Sequence, residues 1–132
     1  MKLVPCSIDW PGARQQVIPY LERALAKQQR PDWDLPGVLR NVESAQWTLY
    51  GVVEGETVIG AGVLAVQQFG LRRVLEVVFY AADEHTETWE TLLSDLADLA
   101  RTWGCSAIRC EGRPGWERVL GMQKLNIMEV PV

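Results

Sequence analysis

From residue 46 to residue 121 the hydrophobic pattern of the chain changes period in a fixed order, and that order restricts the fold more than any single motif does. Residues 47–53 alternate as a strand, Glu54-Gly55-Glu56 turns the chain, and residues 57–67 return antiparallel. Gly60 and Gly62 on the returning segment imply a bulge or a close backbone approach. Phe69-Gly70 turns the chain again into residues 72–82, whose apolar centre from Val74 to Tyr80 suits the middle of a sheet. The period then becomes helical. Trp89, Leu92, Leu93, Leu96, Leu99, Ala100 and Trp103 fall on one face, Thr86 or Thr88 caps the start, and Gly104 supplies the stop. Trp89, Leu92, Leu96, Leu99 and Trp103 are expected to face the sheet, with Val77 and Phe79 among the strand residues they meet. Residues 106–111 alternate again. A strand reached through a helix returns parallel, so this one is expected beside residues 74–80.

Upstream, residues 2–8 read as a short strand. Asp9 can cap a helix over residues 12–29, in which Val17, Tyr20, Leu21, Ala24 and Leu25 recur at helical spacing and Pro19 marks a kink or a later start. Asp34 can cap a second helix striped by Leu35, Val38, Leu39 and Val42. Downstream, Pro114 opens a short helix and residues 125–130 form a closing strand. No repeat or low-complexity tract interrupts the 132 residues, which read as one domain, 1–132.

A net charge of −4 and the lack of any block of Lys and Arg argue against a nucleic-acid binder. No apolar run approaches the ~20 residues that cross a bilayer, and the amino terminus lacks a signal peptide's apolar segment, so neither membrane insertion nor secretion is expected. Cys6, Cys105 and Cys110 form no CxxC pair and read as reduced thiols. Nothing in the pattern of His, Cys, Asp and Glu reads as a metal site.

Two helices, a three-strand meander, a long helix, a strand, a short helix and a closing strand form an order that resembles the GCN5-related N-acetyltransferase (GNAT) family over nearly the whole chain. Two local patterns carry the resemblance further: Glu54-Gly55-Glu56 followed by Val58-Ile59-Gly60-Ala61-Gly62, and Gly112-Arg113-Pro114-Gly115-Trp116. The second is similar to a segment of small, divergent acetyltransferase-like proteins of tailed bacteriophages and prophages. The resemblance implies an α/β fold, a mixed and mostly antiparallel sheet with helices on both faces. It places an acetyl donor between residues 75–80 and 106–110, oriented by the backbone of Val77, Val78 and Phe79. The donor's pyrophosphate would sit on backbone N–H groups where the long helix begins, at Thr86 and Thr88.

The turn there is unusual for such a role. Residues 81–88 read Ala-Ala-Asp-Glu-His-Thr-Glu-Thr, with no glycine, and Asp83, Glu84, Glu87 and Glu90 crowd the site with no Lys or Arg in the turn to offset them. Like charges repel a phosphate, although the same acids also complement a helix N-terminus. Glu76 stands mid-strand where the resemblance places catalytic glutamates, as a general base; its alternative is an ion pair with Arg72, Arg73 or Arg109. Tyr80 can act as a general acid to a leaving thiolate or sit as a core edge with its hydroxyl in water. His85 reads as solvated. Arg113 beside Trp116 offers a fork and an aromatic plane for a carboxylate, a phosphate or a partner surface, and Trp10 and Trp33 lie in loops where a large apolar ring can anchor a partner.

Two functions follow. The acidic, glycine-free turn favours a phage-type protein that keeps the fold without the cofactor. Such a protein would be a virion component or a module binding phage structural proteins or its own copies, in the virion or the bacterial cytoplasm. The alternative is a small N-acetyltransferase moving an acetyl group from acetyl-coenzyme A to an amine.

Overall fold

The computed structural model describes residues 2–6, 12–28, 32–83, 88–110 and 130–131, the side chains of 13, 14 and 88–91 excepted. Eight elements follow in order: β1 (Lys2–Pro5), α1 (Ala13–Ala26), α2 (Leu35–Glu43), β2 (Thr48–Glu54), β3 (Thr57–Phe69), β4 (Arg72–Ala82), α3 (Thr88–Thr102) and β5 (Ala107–Cys110). The strands form one sheet in the order β1-β2-β3-β4-β5. Its first three pairings are antiparallel, and β4 pairs with β5 in parallel. The turns at Glu54-Gly55-Glu56 and Phe69-Gly70 carry Gly55 at φ 63° and Gly70 at φ 58°, left-handed values that glycine adopts without a Cβ penalty.

Local chemistry sets the helix boundaries. Asp34 caps α2 as its position predicts, its carboxylate accepting from the Gly37 N–H at 2.8 Å. Gly104, at φ 71°, ends the turn after α3. The start of α1 differs from expectation. Asp9 lies outside the described residues, and the capping position is Gly12, in a left-handed conformation with no side-chain cap bond. The helix runs through Pro19 and ends at Ala26, not at residue 29.

Each face of the sheet carries its own core. On one, α3 packs Leu92, Leu96 and Ala100 against Tyr50, Val52, Ile59, Leu64 and Leu75, with Leu99 and Trp103 at the margin. On the other, Val17 and Leu21 of α1 and Val38 of α2 pack against Leu49, Ala61 and Val63. The edge strand β1 is tied to α3 by the Leu3 N–H, which donates to the Asp95 carboxylate at 3.3 Å.

Two bulges re-aim side chains. In β3 the partner register shifts between Val52 and Val53, which puts an extra residue at Ile59 and brings Gly60 close to the end of β4. A Cβ on Gly60 would stand 2.7 Å from the Ala82 Cβ and 2.8 Å from the Ala81 carbonyl oxygen, so only glycine fits. In β4, Val63 pairs with Phe79 and Leu64 with Val77, leaving Val78 as the extra residue. Val77 packs in the α3 core, while Val78 and Phe79 both pack in the α1–α2 core, and Tyr80 returns to the α3 side. This corrects the expected meeting of Phe79 with α3. The bulge turns two consecutive side chains to one face and resets the alternation behind them.

Candidate functional site

The site is built around β4. Its pairing with β5 runs from Val74 opposite Ala107 to Val77 opposite Cys110, and β4 continues to Ala82. The bulge at Val78 falls just beyond the last described pair. An extra residue in a ladder is left without an opposite number, so Val78 has no register partner on β3.

Glu76 and Tyr80 lie on opposite faces of β4. Leu75 and Val77 pack toward α3, so alternation directs Glu76 to the α1–α2 side, half-buried, with Ala65 and Arg109 as its register neighbours. Neither Arg72, Arg73 nor Arg109 forms an ion pair with Glu76 among the described residues. Tyr80 packs on the α3 side with its hydroxyl oxygen withdrawn from solvent, a correction to the expected wet hydroxyl.

Past the bulge, β4 ends in a cluster that the sequence reading missed. Tyr20 of α1 donates its hydroxyl to the Asp83 carboxylate at 2.9 Å. Arg23, one turn further along, lies 3.4 Å from the other carboxylate oxygen and donates to the Ala82 carbonyl at 3.2 Å. The Arg23 guanidinium also stands 5.3 Å from the Tyr20 ring centroid. A cation therefore does offset the acidic turn at Asp83, and it arrives from α1. The side chains are 45% and 50% exposed, so the pair contributes little stability. Its consequence is positional: α1 holds the strand end from which the chain leaves toward α3.

Trp33, 40% exposed, sets its ring edge-on to Trp47 at 4.7 Å, and Trp47 meets Phe79 at 6.2 Å. A line of aromatic rings thus connects the segment before α2 to the bulge. Thr88 is the first residue of α3. Thr86, Trp10, Arg113 and Trp116 lie outside the described residues. No three His, Cys, Asp or Glu side chains gather as metal ligands among the described residues, and no helix there is long and apolar enough to cross a membrane.

No disulfide joins the three cysteines. Burial pushes Cys110, in the last described β4–β5 pair, up to about 11, so it is protonated near neutrality and is a poor nucleophile. Burial also raises Cys6 and Tyr50 above their ordinary values of 9.0 and 10.0, and burial followed by the Asp83 carboxylate raises Tyr20. All four groups bind their protons more tightly folded than unfolded. Their contribution to stability is complete below pH 9 and is lost as pH rises through the folded values, toward 11 for Cys110. The thermal midpoint should therefore fall between pH 9 and pH 11; a midpoint that holds or rises over that window contradicts the assignment.

The whole chain superposes on solved acetyltransferases. A probable acetyltransferase matches with a TM-score of 0.70 at 15% identity, covering 100% of this chain and 98% of its own. A predicted acetyltransferase with acetyl-CoA from Clostridium acetobutylicum matches at 0.68 and 12% identity, covering 98% and 96%. Glucosamine-6-phosphate N-acetyltransferase from Arabidopsis thaliana matches at 0.66 and 10% identity, covering 100% and 99%. The fold is that of the GCN5-related N-acetyltransferases. At these identities the likeness is one of fold. No protein-family model and no curated protein matches the sequence. The Val78 bulge, Glu76 and Tyr80 all lie on β4.

Proposed function

We propose that this GNAT-fold protein is a small N-acetyltransferase that uses acetyl-coenzyme A and acetylates an amine. The observation that carries the reading is the bulge at Val78, flanked along β4 by a carboxylate on one face of the strand and a phenol on the other. The donor set fits the cofactor. An extended amide-bearing arm needs backbone partners and a thioester carbonyl needs N–H donors, and Val78, without a register partner on β3, is the residue proposed to supply them. Thr88 opens a helix of 15 residues, and the start of a helix suits a phosphate. The Arg23–Asp83 pair lowers the local negative charge that argued against it.

Bound acetyl-coenzyme A would supply an acetyl group activated as a thioester. Backbone N–H groups of residues 77–79 would hold the thioester carbonyl oxygen, Glu76 would take a proton from the amine, and Tyr80 would give one to the departing thiol. Cys110 takes no covalent part, because its thiol stays protonated.

The similar structures named above are all acetyltransferases and lend nothing to a virion role or to a partner-binding role for Trp10, Trp33, Arg113 and Trp116. The test is amine-dependent release of free coenzyme A thiol from acetyl-coenzyme A, together with the acetylated product.

A further inference from the structure

Arg109 lies on β5 as the register partner of Glu76. The preceding Ile108 packs in the α3 core, so Arg109 projects to the face that carries Glu76. Its guanidinium carbon stands 4.7 Å from the centroid of the Phe69 ring, and the side chain is half-buried. Phe69 is 48% exposed, and its own register partner across the hairpin is Arg72, exposed on the same face. Among the described residues no carboxylate comes within ion-pair range of Arg109 or Arg72.

A guanidinium carries its charge at every physiological pH and offers five N–H donors in one plane. Stacking on Phe69 occupies the plane's face and leaves the N–H edge without an anion. Half-burial makes that edge costly to leave unsatisfied and strengthens any charge-assisted bond formed there. The nearest carboxylate in register, Glu76, is not its partner. The arrangement sets an anion receptor one register step from the proposed base.

We propose, resting on the acetyl-transfer reading, that the acceptor is an amine that also bears a carboxylate or a phosphate. The amine end lies at Glu76. The anionic end is held by the Arg109 fork, with Phe69 fixing the guanidinium plane. Neutral amines and polyamines lack the second contact and bind less well.

Two matched pairs test this: glycine against glycinamide, and O-phosphoethanolamine against ethanolamine. The wild-type protein should prefer the anionic member of at least one pair by about tenfold or more in kcat/KM, the value of a charged hydrogen bond, with the difference residing in KM. Arg109→Met should erase the preference, and Arg109→Lys should restore part of it, since lysine keeps the charge without the planar fork. A second readout needs no turnover. The Arg109 Nε–H resonance should shift saturably with O-phosphoethanolamine and stay in place with ethanolamine. Equal use of both members, a preference that survives Arg109→Met, or an unmoved Nε–H resonance overturns the proposal while leaving acetyl transfer intact. If no amine is acetylated, the acetyl-transfer reading fails, and the resonance alone decides whether Arg109 receives an anion.

Discussion

Glu76→Gln should lower the turnover of amine acetylation by roughly 10²–10⁴-fold, the range over which a positioned general base acts, while leaving acetyl-coenzyme A affinity nearly unchanged. The substitution keeps size and shape and removes only the ability to take a proton. Glu76 has no ion pair among the described residues, so its loss breaks no described structural link. Steady-state kinetics at saturating amine, beside a calorimetric titration of the cofactor, separate the two effects. A variant with wild-type turnover removes Glu76 from the mechanism. A parallel loss of cofactor binding would instead make it a structural residue.

Leu96→Ala should cost about 2–5 kcal/mol of folding stability, as truncations of buried leucines do. Leu96 is 7% exposed at the centre of α3, packed in the cluster that includes Tyr50, Leu64 and Leu75. Those residues come from β2, β3 and β4, so the cavity would open where three strands and the helix meet. Chemical denaturation should show a lower midpoint with a similar slope. An unchanged midpoint would mean that α3 does not bury this face.

Local patterns make most of the fold legible. Period-two segments around Gly55 and Gly70 specify the meander, the spacing of Leu92, Leu96 and Leu99 specifies α3, and the helical crossover requires the parallel pairing of β5. Asp34 announces its own helix. The bulge in β4 is not legible, because residues 77–80 are all apolar or aromatic and a one-residue slip leaves the pattern unchanged. Simple alternation therefore puts Phe79 on the face of Val77, whereas the structure puts it with Val78 on the other.

The site is less legible than the fold for a related reason: its charges meet across long separations. Arg23 and Asp83 are 60 residues apart, and a reading confined to the turn after β4 finds acids alone. Arg109 reads as one of three candidate partners for Glu76, and only the packing of Phe69 shows that the guanidinium is engaged elsewhere. Glu76 and Tyr80 were accessible as candidates from their place on the strand. Their separation onto opposite faces depends on the bulge between them.

The central claim is that this protein transfers an acetyl group from coenzyme A to an amine. The most direct measurement follows free coenzyme A thiol in a reaction of purified protein, acetyl-coenzyme A and a panel of primary amines, with mass analysis of the products. The account predicts thiol release that depends on both protein and amine and matches the acetylated product one for one. Thiol release no faster than the protein-free reaction, across the whole panel, would contradict it.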